Sequence, residues 1–216
     1  MTRRMSRTAL ADLGILSVLS LLGIAGYETS FGGLDFLLAA VAGLAVGTLA
    51  AVLGTLWRLN VVTTVLLGVA LYFVVGTPFV MPDAALFVVL PSPTSLAGLA
   101  VGAVHGWADI LTIAAPVEAP AYVAAVPYAA ATVVSLVGGL LILRRLAVRR
   151  TTLRAAVALV GPVVLLLSGI LLGTDEAFLA AVRGVAFAAI ALAWVAWRRG
   201  AQVEASGEGA ARLRRR

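Results

Sequence analysis

Residues 76–120 read GTPFVMPDAALFVVLPSPTSLAGLAVGAVHGWADILTIAAPVEAP, and the way this stretch is taken decides the fold. It holds the only histidine, His105, six of the eight prolines, the acids Asp83, Asp109 and Glu118, and no arginine. Its apolar part, 95–115, is long enough to suggest a membrane crossing. A crossing there would bury His105 and Asp109 in hydrocarbon, at a cost on the order of several kcal/mol. It would also leave only 117–119 as a turn, and it would put the arginines at 144–154 on the opposite side from those at the N-terminus. Taken instead as a segment at or above the outer interface, it leaves six crossings and a consistent charge pattern.

The rest of the chain supports lipid as its main solvent. Hydrophobic residues make up 62% of 216 positions, mean hydropathy is +1.09, and 12% of residues are charged. A soluble domain carries roughly 25% charged residues to dress its surface. The 22 glycines fit, since glycine is more frequent in membrane helices than in soluble ones. The lack of cysteine removes disulfides, thiolate metal ligands and a cysteine nucleophile. All 16 basic residues are arginine, and the net charge is +6. They cluster at the ends of apolar runs, where they meet lipid headgroups, and form no basic stripe of the kind that binds nucleic acid.

A crossing takes about 20 apolar residues. Outward from the middle segment the spans fall at about 9–27, 34–57, 61–80, 121–143, 155–172 and 177–197. Arg58 and Asn60 turn the chain between the second and third. Pro127 interrupts the fourth, Pro162 lies in the fifth, and Trp194 and Trp197 end the sixth as interfacial anchors. Gly43 and Gly47 form a small-xxx-small pair that lets two helix backbones approach, within one bundle or across a dimer. Residues 200–216 are polar, small and arginine-ended, and are expected to lack fixed structure.

Arginine bias on short loops orients a bundle. With six spans and a cytoplasmic N-terminus, every arginine except Arg183 falls inside. Glu28, Asp35, Asp83, Asp109, Glu118, Asp175 and Glu176 fall outside. The expected fold is an all-α integral membrane protein of the cytoplasmic membrane. It is a six-helix bundle with both termini cytoplasmic and an interfacial helix within the outer segment 81–120.

That interfacial helix begins at Ser92-Pro93, a serine cap followed by proline in the first turn. Leu96, Leu99, Ala103, Trp107, Ile110 and Leu111 recur at helical spacing, with Gly98, Gly102, His105 and Asp109 on another face. The reading places Trp107 at headgroup depth. His105 and Asp109, at i and i+4, are within reach of each other. They make either a plain helix contact or a proton-handling pair, and one histidine falls short of the three ligands a metal site takes. His105, Trp107, Asp109 and Glu118 form the candidate outer interaction surface. Arg183, inside the sixth span, is expected to pair with Asp175 or Glu176, or with another outer acid by extending its side chain outward. Ser20, Ser135 and Ser168 lie in spans without a histidine partner, so no nucleophile-base set is present.

Leu90-Pro91-Ser-Pro93-Thr94-Ser-Leu96, then Gly106-Trp107 to Leu111-Thr112, Ala115-Pro116-Val117, a proline-bearing span and two arginine-flanked spans together make a pattern. It resembles the N-terminal membrane domain of bacterial, especially actinobacterial, transglutaminase-like membrane proteins. In that family the membrane domain precedes an extracytoplasmic domain with a Cys-His-Asp triad, beside a MoxR-type ATPase and a von Willebrand-like companion protein. This chain has no match for the triad. The resemblance implies a cell-envelope scaffold, not an enzyme, that needs no cofactor and positions a catalytic domain or partner. The alternative is a small transporter or channel, which would need polar groups at the bilayer midplane.

Overall fold

The computed structural model describes residues 6–31, 36–87, 90–112, 121–146, 152–172 and 179–214. The described residues are helical apart from short connections and a single bridge between Leu86 and Leu90. The helices are α1 (Arg7–Ile24), the single turn α2 (Glu28–Phe31), α3 (Phe36–Leu56), α4 (Val61–Val80), α5 (Pro93–Thr112), α6 (Ala125–Leu140), α7 (Thr152–Leu172) and α8 (Ala180–Arg214).

Among the described residues five stretches are long and apolar enough to cross a membrane: Arg7–Tyr27, Phe36–Leu56, Val61–Val80, Tyr122–Arg144 and Ala180–Gly200. The apolar part of α7, Ala156–Leu172, is shorter than these. α5 is not among the five.

α3 and α6 pack most intimately, and small residues make that possible. Gly43 lies against the Tyr128 carbonyl, and Gly47 against the Thr132 carbonyl and Ser135. The small-xxx-small pair therefore serves packing within the chain. α4 folds back along α3, with Gly54 against the Thr64 side chain and Gly68 against Leu136. Between these two helices Arg58 adopts φ 56°, and the Asn60 side chain caps α4 by accepting from the Thr63 amide at 2.7 Å. α1 packs on α7 through glycine as well. A Cβ on Gly26 would lie 3.1 Å from the Gly169 Cα. Leu13, Leu16, Ala50, Ala51, Ile142, Leu143 and Trp194 form one core cluster, towards the end of the bundle where Arg144 lies. Tyr27, Phe31, Phe36, Trp107 and Val126 contribute to clusters at the other end.

Several expectations change here. Pro127 does not interrupt the fourth span. A 3₁₀ turn, Ala121–Ala124, leads into α6, and Pro127 is its third residue, where no backbone N–H is needed. The following π-helical turn, Leu141–Leu146, carries the span on to Arg144. α8 runs to Arg214, across the tail expected to lack structure. The alanines, glutamates and arginines there favour helix, and extending an existing helix avoids the cost of nucleation. α8 is also the least enclosed of the five. Only 11% of its membrane-length stretch is buried in the protein, against 61% for Tyr122–Arg144.

Filling the α3–α6 seam tests this packing. Gly47→Ala forces a methyl group into Ser135 and the Thr132 carbonyl, and should destabilise the bundle by about 1–3 kcal/mol. Gly14→Ala, with nothing near its Cβ, should cost nothing measurable. Unfolding midpoints of the two variants in mild detergent provide the comparison.

Candidate functional site

The connection between α4 and α6 is built around α5 and fixed by hydroxyl groups. Ser92 caps the helix, its Oγ accepting from the Ser95 amide at 3.0 Å, while the Ser95 Oγ accepts from the Ser92 amide at 2.9 Å. This is a capping box with serine in the place usually taken by glutamate. The Ser92 hydroxyl also donates to the Ala84 carbonyl. Ser95 meets Thr77 of α4, hydroxyl to hydroxyl, at 3.2 Å. Further along, the Tyr72 hydroxyl donates to the Leu99 carbonyl at 3.0 Å, and the Tyr128 hydroxyl donates to the Tyr72 carbonyl at 2.9 Å. Three helices are thereby joined through buried polar groups that would otherwise be costly in an apolar interior.

α5 buries Ser95, Leu99, Gly102, Gly106 and Ile110. Leu99 and Ile110 belong to the apolar stripe expected from sequence, whereas Gly102, expected on the face with His105 and Asp109, is buried with them. Gly102 sits against the Tyr122 carbonyl and Ala125, and Gly106 against Val126, so small residues let α5 lie close on the bundle. Leu96 and Leu111 are exposed instead.

His105 is exposed, and no hydrogen bond or ion pair joins it to Asp109 among the described residues. Asp109 is half-buried beside the Tyr122 hydroxyl. The i, i+4 pair is therefore not made. Trp107 is half-buried and packs edge-on against Tyr27 at 6.4 Å between ring centroids. It belongs to the apolar core at this end of the bundle. Glu118, Asp175 and Glu176 lie outside the described residues. Arg183 does find an acid, Glu28 of α2, at 3.3 Å, and it donates to the Ala25 carbonyl.

Three polar ties are not evident from sequence alone. Asp12, fully buried at 0% exposure, accepts from Arg198 Nε at 2.8 Å and from Trp194 Nε1 at 2.9 Å; a second Arg198 nitrogen reaches its other oxygen. Trp194 is thus buried and structural, whereas Trp197 is exposed. Arg144 donates to the Gly54 carbonyl at 3.1 Å and to Thr64 Oγ1 at 2.7 Å, joining the π-helical turn to α3 and α4. Tyr27 and Ser168 meet at 2.7 Å, linking the end of α1 to α7.

Ser135 bonds mainly within its own helix, donating to the Ala131 carbonyl at 2.7 Å, with a longer reach of 3.5 Å to the Gly43 carbonyl. Ser20 Oγ is buried and has no hydrogen-bond partner among the described residues. Among the described residues no three of His, Cys, Asp and Glu converge as a metal site would require.

The chain matches no family model. Searches of curated proteins and of solved structures find no match either.

Removing one side of the Asp12 tie leaves a buried guanidinium without its counter-charge. Asp12→Ala should cost about 3–5 kcal/mol, while Asp12→Leu combined with Arg198→Met should cost much less. Thermal unfolding in detergent of the single and double variants measures the difference.

Proposed function

We propose that this chain is a non-catalytic, six-span domain of the cytoplasmic membrane, both termini inside, that holds an extracytoplasmic partner at its outer end. The partner is a catalytic domain of the transglutaminase-like kind, in the same polypeptide or in another. The arginine-rich inner loops serve a MoxR-type ATPase, with a von Willebrand-like protein as a further companion. The observation that carries this reading is the way α5 is held. Its N-terminus is locked by the Ser92–Ser95–Thr77 hydroxyls, its middle by Tyr72, and its second half by Gly102 and Gly106 against α6 and the turn before it. A helix fixed along its length while presenting Val101, Val104, His105 and Leu111 outward suits a docking platform.

Charge supports the orientation. Trp194 and Arg198 both donate to Asp12 at the end where Arg144 ties α3 to α4, and Glu28, Asp83 and Asp109 lie towards the other end with α5. Arginine-rich loops favour the cytoplasmic side. In this reading α7 is the fifth of the six spans: its apolar part is 17 residues long by its bounds, Ala156–Leu172, and it packs along α1 and the turn that follows through Gly23, Gly26 and Gly169.

The chain has no native cysteine, so single cysteines report both orientation and docking. His105→Cys should react with a membrane-impermeant maleimide in intact cells, and Arg58→Cys only after permeabilisation. A photo-crosslinker on position 105 in native membranes should then capture a Cys-His-Asp domain. Labelling of both sites from the same side would overturn the topology, and crosslinks to lipid alone would overturn the docking role.

A further inference from the structure

The connection between α4 and α5 contains a feature that the bundle does not need. Leu86 and Leu90 exchange backbone hydrogen bonds of 2.9 and 2.8 Å, closing a tight reversal. Phe87, next to Leu86, is 90% exposed and has φ 51°. Both properties are unfavourable, and the second is so specifically in water. A left-handed position in a turn ordinarily takes glycine or asparagine, because a bulky side chain there is strained. A fully exposed phenyl ring forgoes the gain of burial. Leu86 and Leu90 are also exposed, so three large apolar side chains stand together at this reversal.

The base of the reversal is firmly fixed. The Ser92 hydroxyl donates to the Ala84 carbonyl, and the 3₁₀ turn Pro82–Ala84 continues directly from the end of α4. The reversal is therefore presented in one orientation by the bundle. Its surroundings indicate what it meets. α4 turns most of its surface outward, with Val62, Leu66, Val69, Val74 and Phe79 all exposed, as a helix bordering lipid does. Phe79 lies at the α4 end that leads into the reversal. No charged residue occurs within 84–91, so the reversal itself carries no ionised side chain of its own.

We infer that Leu86, Phe87 and Leu90 form an apolar wedge inserted into the lipid leaflet beside the outer end of α4, anchoring the α5 platform to the membrane surface. The wedge is distinct from the docking face around His105, and it does not require a transglutaminase-like partner. Groups of this kind sit about 5–10 Å into the boundary between headgroups and acyl chains.

Phe87→Cys carrying a nitroxide, reconstituted in phosphatidylcholine–phosphatidylglycerol vesicles, tests the inference. Collision with oxygen should exceed collision with a water-soluble nickel chelate, as at a Leu66→Cys control on α4 and opposite to an Arg58→Cys control. The depth from the ratio should fall roughly 5–10 Å below the phosphates. Nickel in excess of oxygen at position 87 would mean that the wedge stands in water and would overturn the inference. Low collision with both reagents would mean that protein covers it, and would overturn the inference equally. If the labelled Phe87→Cys protein does not fold, Leu90→Cys is read by the same criteria.

Discussion

Backbone carbonyls and buried hydroxyls in an apolar bundle have no water to turn to, and this constraint shapes every helix contact in the protein. The α3–α6 seam shows the response most clearly. Gly43 and Gly47 bring two backbones so close that the Tyr128 and Thr132 carbonyls face glycine instead of lipid. Thr132 and Ser135 then bond back to carbonyls one turn earlier, at 2.8 and 2.7 Å. Close approach gives dispersion contact along the whole seam, the main source of helix association where no hydrophobic force distinguishes a neighbouring helix from lipid. The other helices are arranged around this pair. α4 joins it through Gly54 and Gly68, and α1 through Leu16 against Gly138.

Charged groups are few, and those that are buried are used as ties. Asp12–Arg198, Arg144 to Gly54 and Thr64, and Arg183 to Glu28 and Ala25 each connect elements far apart in sequence. Such pairs add little net stability compared with well-packed apolar side chains, but a wrong partner leaves a charge exposed to hydrocarbon. Their contribution is to exclude alternative arrangements of helices that would otherwise pack almost equally well. The tyrosines act similarly at the root of α5, where Tyr72 and Tyr128 lie 4.8 Å apart and each satisfies a backbone carbonyl.

What the sequence revealed divides along physical lines. α4 spans Val61–Val80, the bounds its apolar run suggested, and the start of α5 at Pro93 followed from Ser92-Pro93. Apolar length and capping are local properties, legible without knowledge of neighbours. The buried face of α5 was legible in part: Leu99 and Ile110 of its apolar stripe are inside, but Gly102 and Gly106 are inside with them while Leu96 and Leu111 are exposed, because close packing on glycine turns the small residues towards the bundle. Trp194 reads from sequence as an interfacial anchor, and it is instead buried against Asp12. Their partnership with Arg198 spans nearly the whole chain and leaves no local signature. Pro127 was misread for want of the helix start, since proline's effect depends on whether it falls in the first turn or beyond it.

The two ties on α8 have a consequence for how the last helix finds its place. Arg183 and Arg198 are separated by about 22 Å of helix, at 1.5 Å per residue, and their partners, Asp12 on α1 and Ala25 and Glu28 just past its end, are spaced to match. A helix with so little of its surface enclosed could slide or rotate along its neighbour at small cost in packing. Any slide of one turn would break both ties together and strand two guanidinium groups. Immersion depth and azimuth of α8 are therefore set as on a ruler with two marks, by where its arginines stand, while its smooth aliphatic flank is left free to vary.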